Sequence, residues 1–496
     1  MKSTILFLCL FCCLQNALCQ SGGFNRLYSF SDEYGAFFSD LAVNTSGDTI
    51  FVCGSTFTDS SLPYLSLVVA AIDTFGNLLG TTYHHVPQYH MQPSFLTRLE
   101  KGGYATTGTM VYAGFLTKIS DSLKVVSNNL YTINNNVMYP HHLAELSDGG
   151  LLMGGNYNKN YASYLFIKRI SPTSQEVWTK EYGTPTDYEF MTSFIKLDDS
   201  TFVAGVGKSP IYIGQDDWTR SRIFAIAPKL GLVKWDWLGP LNEEASVHGL
   251  HQTPDKGWIY LTQTYEPNPI PDPVETWVAH IKVVRRDSAF NLLWERTLSP
   301  TASYWNSVGD LEATPDGNWV ATGWWLSETY KTCFYKISDQ GDSLWCTCLT
   351  PPDNTEGVVE PGGVVVLPSG SAVCVARYDK YVPSPAKTYG WLIKVDNDGC
   401  VDTLCELSAV FSPLAQSSVK VYPNPAVSYV KILFDSYFPR QTTWTVFDAF
   451  GRSVRNGNIG LEVNSLEIDL AGLPNGLYFW EVRAPNGQSW SGKFVK

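Results

Sequence analysis

Short runs of alternating apolar and polar positions recur along this chain, each closed by a polar turn. Four such runs stand in series between Asp310 and Leu349. The turn Pro315-Asp316-Gly317 separates the first run from the second at 319–324, a third fills 332–337, and Ser338-Asp339-Gln340-Gly341 turns into a fourth at 343–349. Aromatic and β-branched residues punctuated by Asp-Gly predict antiparallel hairpins. A unit this small cannot bury its apolar face alone, so its recurrence predicts stacked neighbours around a shared core.

Aligned on the turn before the second strand, seven copies appear. Ser46-Gly47 precedes IFVCGSTF, Gly102-Gly103 precedes YATTGTMV, and Asp148-Gly149-Gly150 precedes LLMGGNY. Asp198-Asp199-Ser200, Asp255-Lys256-Gly257, Asp316-Gly317 and Ser369-Gly370 lead into the rest. Spacings of about 45–60 residues suit propeller blades. Trp178, Trp235, Trp294 and Trp345 fall in fourth strands and read as packing between repeats. Residues 24–30, FNRLYSF, resemble a fourth strand without its blade and are expected to complete the last repeat, removing an exposed edge. The expected fold is all-β: a seven-bladed β-propeller, then a small C-terminal immunoglobulin-like β-sandwich formed by the strands after residue 418.

The first residues break the pattern. Lys2, an apolar run at 5–14 and Ala17-Leu18-Cys19 predict a signal peptide at 1–19, too short to anchor in a bilayer. No later stretch is long and apolar enough to span one, so no transmembrane segment is expected in the mature chain. The domains expected are therefore 1–19 signal, 20–407 propeller, 408–418 linker and 419–496 terminal domain. A formal net charge of −12 argues against a nucleic-acid partner.

The signal takes four of 11 cysteines. Export favours disulfides, and Cys400 with Cys405, flanking a short loop, are the expected pair. Pairing among Cys333, Cys346, Cys348 and Cys374 stays open. The odd count leaves one free thiol, assigned to Cys53. Cys346-Thr347-Cys348 lacks the second ligand pair of a zinc site.

The terminal segment resembles the C-terminal (type A) sorting domain of type IX secretion substrates. Val421-Tyr422-Pro423-Asn424-Pro425 matches the opening motif, Asp448, Gly451 and Arg452 the central hairpin, and Gly476 with Tyr478 the Gly-x-Tyr strand. Lys493-Phe494-Val495-Lys496 matches the terminal basic strand. The resemblance implies type IX machinery and its sortase as partners, passage through periplasm and outer membrane, and a cut near residues 410–419. The mature protein would be secreted or attached at the cell surface. Each motif also has a structural reading: Pro423 and Pro425 blunt an edge strand, and Gly451 and Gly476 supply unusual turn angles.

The cargo resembles propeller-like repeat regions of exported proteins. Its Asp-x-x-Gly turns before Trp resemble the Asp-box of sialidases, but Gly341 and Trp345 stand one residue too far apart. His84, His85 and His90 share a loop, and His141 and His142 enter the third repeat. A polar loop explains the former better than a metal site, and packing explains His248 and His251. Asp396-Asn397-Asp398-Gly399 lacks the distal Glu of a Ca²⁺ loop and reads as a β-turn. Asp198-Asp199 and Asp216-Asp217 read as turn residues. No metal, cofactor or catalytic residue is expected. The leading expectation is a non-catalytic module binding a protein or glycan ligand; the alternative is an extracellular hydrolase or lyase. Several acids or Arg from different repeats meeting at the ring's centre would favour the enzyme; an apolar or Tyr/Trp-lined face without converging charges would favour the binder.

Overall fold

The computed structural model describes residues 22–30, 35–57, 64–134, 136–159, 162–183, 187–210, 220–241, 244–267, 277–298, 306–326, 330–353, 357–381, 387–401, 420–423, 426–433, 442–448, 452–459, 465–483 and 489–496. The signal segment and Asp216-Asp217 lie outside them. The chain divides into two compact units, with the boundary between residues 411 and 412. Every regular element among the described residues is a strand.

The first unit contains seven four-stranded antiparallel sheets among the described residues. Six are consecutive in sequence. The seventh joins three late strands, Gly357–Val366, Ala372–Lys380 and Lys387–Val395, to Phe24–Tyr28 from the chain's beginning. The first strands of the sheets are Ala36–Val43, Gln92–Arg98, Met138–Glu145, Asp187–Asp198, His248–Gln252, Asn306–Ala313 and Gly357–Val366. Each touches the first strand of the next sheet, and Gly357–Val366 touches Ala36–Val43, so the succession closes on itself.

Second and third strands are covered on both faces by neighbouring sheets. They therefore read as near-continuous apolar runs rather than alternations; Leu67 to Ile72 are all buried. Fourth strands are exposed or half-buried along most of their length.

Neighbouring sheets are keyed together at the turn between third and fourth strands. That turn needs a residue with positive φ: Gly76, Gly231, Gly341, Gly399, and also Phe290 at 66°. The fourth strand of the preceding sheet covers it. A Cβ on Gly341 or Gly399 would meet the ring of Trp294 at 2.9 Å or of Trp345 at 2.8 Å. Trp345 Nε1 also donates to the Asn397 carbonyl at 2.9 Å. Where Phe290 replaces glycine, its ring stacks on Trp237 at 4.8 Å. The turn carbonyl is capped too: Tyr182 Oη donates to Gly231 O at 2.8 Å and Thr347 Oγ1 to Gly399 O at 2.7 Å.

The early and late strands of the first unit meet through the same device. Phe24–Tyr28 pairs antiparallel with Lys387–Val395. Arg26 Nη1 and Tyr28 Oη both donate to the Gly76 carbonyl at 2.7 Å, and Trp391 Nε1 donates to Asn25 Oδ1 at 2.6 Å.

The cysteines correct one expectation. Cys333 and Cys348, directly opposed across a ladder, form a disulfide. Three thiols, not one, remain free among the described residues: Cys53, Cys346 and Cys374. Cys53 and Cys374 sit in separate cores, and Cys346, with its Sγ 3.9 Å from that of Cys348, faces a sulfur already bonded. Cys400 is disulfide-bonded; Cys405 lies outside the described residues.

The second unit has two antiparallel sheets. One joins Lys420–Tyr422, Tyr429–Leu433 and Ser465–Asp469; the other joins Ser453–Asn458, Thr443–Asp448, Leu477–Arg483 and Ser489–Val495. Val430, Ile432, Ile468, Val446, Trp480 and Phe494 form their common core.

Candidate functional site: a cavity lined by the seven first strands

In every first strand the ladder slips at the same point of the repeat. The slips fall between Phe38 and Asp40, Pro93 and Phe95, Pro140 and His142, Met191 and Ser193, His248 and His251, Val308 and Leu311, and Pro361 and Val364. A bulge leaves its extra residue unpaired and re-aims that side chain. Three slips begin at a proline, which has no N–H to give the ladder. Opposite three of them stands a glycine that no larger residue could replace. A Cβ on Gly54, Gly108 or Gly155 would lie 1.8, 2.1 or 2.2 Å from a first-strand carbonyl oxygen.

The extra residues all line one cavity of about 860 Å³: Ser39, Ser94, His141, Thr192, Gly249 with Leu250, Gly309 with Asp310, and Gly362 with Gly363. Asp40, His142, His248, His251 and Glu312 join them, as do Tyr139, Tyr188 and Phe190. Acids, imidazoles and aromatics thus meet in one space, from repeats far apart in sequence.

The ionisable groups are held away from their ordinary states. Asp40 is 8 % exposed, and its Oδ2 accepts from the Leu96 N–H at 2.7 Å. Burial raises its carboxyl to about 8, the backbone N–H groups of Leu96 and Leu41 opposing and the charges of Asp310 and Glu312 adding to the rise. Burial also raises Glu312 to about 7, and burial with the nearby Glu312 charge raises Asp310 to about 6. His251 Nε2 lies 2.7 Å from the Leu311 carbonyl and 3.8 Å from Glu312 Oε2. Burial lowers His142 to about 3, helped by His141 and His248, and His248 to about 4. It also lowers His141, which pairs with Asn156 Oδ1 at 2.7 Å, and His251. The imidazoles are therefore neutral at physiological pH.

His248 and His251, read from sequence as packing residues, line this cavity, and none of its three acids was singled out. The repeat carried a signal. Ser39, Ser94, His141, Gly309 and Gly362 each stand eight residues before a positive-φ turn glycine: Gly47, Gly102, Gly149, Gly317 and Gly370. The other histidines go elsewhere. His90 Nδ1 accepts from the Leu65 N–H at 3.0 Å, and His85 Nδ1 is 3.3 Å from Ser66 Oγ. No group of acids, histidines or cysteines among the described residues is arranged to hold a metal ion. Asp396 Oδ1 accepts from the N–H groups of Asp398 at 2.9 Å and Cys400 at 2.8 Å, as in a turn.

In the second unit the motif residues brace its turns. Lys420–Tyr422 ends immediately before Pro423. Arg452 N–H donates to Asp448 Oδ1 at 3.0 Å, and Arg452 Nε to Asp448 Oδ2 at 2.7 Å. Tyr478 Oη donates to Pro474 O at 2.6 Å. Lys496 Nζ donates to the carbonyls of Leu470 at 2.7 Å and Leu473 at 2.5 Å. Gly476 departs from expectation: the positive φ, 77°, belongs to Gly472. Gly476 instead exchanges both backbone hydrogen bonds with Lys496, at 3.0 and 2.9 Å. Asn424, Pro425 and Gly451 lie outside the described residues.

Fold and site together define an all-β repeat protein with a polar central cavity, joined to a small two-sheet domain. Residues 420–496 match the family described as the secretion system C-terminal sorting domain, and this segment is a type IX sorting domain. It implies handling by the type IX machinery and export to the cell surface or beyond. No helix among the described residues is long and apolar enough to cross a membrane. No curated protein matches the chain. Among solved structures, Drosophila Plexin A in complex with Semaphorin 1b is similar at 8 % identity and TM-score 0.43, covering 76 % of this chain and 88 % of that one. Puromycin hydrolase follows at 11 % and 0.46, covering 83 % and 60 %. The GH93 α-L-arabinofuranosidase of Fusarium graminearum with arabinobiose follows at 11 % and 0.39, covering 60 % and 91 %. Likenesses this slight carry nothing about function.

Proposed function

We propose that the first unit is a seven-bladed β-propeller that binds a protein or glycan ligand in its central cavity without transforming it. The second unit, an immunoglobulin-like sandwich, delivers it through the type IX pathway to the cell surface or medium. On this reading residues 1–19 are removed, 20–407 are cargo, 408–418 form the linker the sortase cuts, and 419–496 are discarded. The observation that carries the binding role is the single cavity to which all seven first strands contribute, walled by aromatics and hydroxyls. Cavities of a few hundred to about 1,000 Å³ with a few placed polar groups are the usual form of ligand sites.

One observation favours a second reading, a hydrolase or lyase: Asp40, Asp310 and Glu312 come from two sheets and are partly protonated at neutral pH, as a general acid must be. A glycan array and a hydrolase panel run on the full chain separate the two. Binding without turnover supports the first reading; turnover abolished by Asp310→Asn or Glu312→Gln replaces it with the second. For export, deleting residues 419–496 should leave the protein in the periplasm, and normal surface delivery would refute the sorting role.

A further inference from the structure

The central cavity is unbalanced in charge. Its lining holds three carboxyl groups, four imidazoles and neither lysine nor arginine among the described residues. Asp40, more than nine-tenths buried, has backbone N–H donors but no ion pair among the described residues. The other buried acids among the described residues are paired: Glu189 takes Arg222 at 3.1 Å and Lys208 at 3.2 Å, and Glu244 takes Arg286. A buried acid without a cation is costly unless it stays protonated or receives a cation from outside.

We propose that the cavity receives a primary ammonium group carried on a larger ligand, held among Asp40, Asp310 and Glu312. This rests on the binding reading above and names its ligand chemistry. Anionic ligands, uronic acids and phosphates among them, have no cation to meet there. Tyr139, Tyr188 and Phe190 supply apolar wall for the chain that bears the ammonium, and aromatic faces also attract cations. The ammonium can come from a lysine side chain of a polypeptide or from an amino sugar.

Occupation should be linked to proton release, because the ligand favours the ionised carboxylates. The groups around them stay neutral as the acids ionise. His141, His142, His248 and His251 are lowered by burial, and the thiols of Cys53, beside Asp40, and Cys374, beside both acids' charges, are pushed far up by burial. Affinity for a permanent cation should therefore rise between pH 5 and pH 8.

The test is calorimetry on the full chain with trilysine blocked as its Nα-acetyl amide, the same peptide Nε-acetylated on every side chain, a glucosamine tetramer and the matching N-acetylglucosamine tetramer. With its α-amino group blocked, trilysine keeps its charge throughout this range, its side chains titrating at about 10.4. At least tenfold tighter binding of one charged probe over its acetylated form is expected at pH 7.5. For trilysine it should strengthen at least tenfold from pH 5 to pH 8. Which charged probe binds identifies the source of the ammonium. The Asp310→Asn/Glu312→Gln variant should lose the preference while its thermal midpoint shows it folded; Glu312→Gln alone, at the more exposed acid, should lose part of it. Equal binding of charged and acetylated forms overturns the ammonium inference and leaves the cavity reading standing. A preference that survives in both variants overturns it too, because the net charge of −12 then acts from elsewhere. If no probe binds, the inference fails and the glycan array alone judges the cavity.

Discussion

Two kinds of residue in the cavity respond to pH in opposite senses, and Asp40 separates them. Its carboxyl is raised in the folded state, to about 8. Its contribution is fully present below the ordinary Asp value and is lost as pH rises through about 8. His142 and His248 are lowered, to about 3 and about 4. Their contribution is present above the ordinary His value and is lost as pH falls through those values. Stability should thus peak in mildly acidic solution and decline on both sides. Glu312, with its side chain 37 % exposed, should contribute less to the alkaline limb than Asp40 does. Asp40→Asn keeps an acceptor for the Leu96 N–H and removes the ionisation. Its urea midpoint should fall less between pH 6 and pH 9 than the wild type's. Parallel declines in the two proteins would show that Asp40 does not ionise at a cost.

At the scale of the element, the hairpins were legible and the meeting point was not. Trp319–Leu326 and its six counterparts announced themselves by turn residues and β-branched runs, because local chain chemistry dictates both. Trp345 was legible as packing for the same reason: the position recurs without any shared ligand. What Asp40 and Asp310 share is a place in space, some 270 residues apart in sequence, and no local propensity encodes that. The nearest local traces were Pro93, Pro140 and Pro361, which interrupt strands, and the second-strand glycines opposite the bulges. The turn pairing between sheets yields its own test. Gly399→Ala meets two penalties, a φ of +83° and the Trp345 ring at 2.8 Å, and the φ penalty alone is about 1–2 kcal/mol. At Phe290 the backbone is equally unusual, at 66°, but the side chain repays it by stacking on Trp237 and Trp258. Removing that ring exposes the bare backbone preference. Phe290→Gly should therefore unfold at higher denaturant than Phe290→Ala, although alanine is ordinarily the milder replacement. The reverse order would mean that the φ costs nothing here.

Over the whole first unit, one long-range pairing decides whether the sheets close. The hydrogen bond from Trp391 to Asn25 spans 366 residues. Closing so long a loop costs chain entropy that grows slowly with length, by about 0.6 kcal/mol for each doubling, but it is slow, because folding rates fall as contacts become more distant. Its geometry is nonetheless that of an ordinary hairpin. The turn Asp396–Gly399 is formed as in the other sheets, and Gly23 packs on the Cys400 carbonyl and Val401. Moving residues 23–30 to follow Val401 directly, with 402–496 after them, would turn the most distant pairing into a local one. The ladder of Phe24–Tyr28 on Lys387–Val395 and the donors to Gly76 would be kept. The first and seventh sheets would lose their covalent tie and be held by side-chain contacts alone: Arg26 and Tyr28 on Gly76, and the shared core of Phe38, Ile50, Val52, Val373 and Leu392. Refolding measured by stopped-flow fluorescence should then be faster than in the natural order, and unfolding faster too, since the ring can now open without breaking a ladder. Unchanged refolding would mean that the closing strand docks before the slowest step rather than in it.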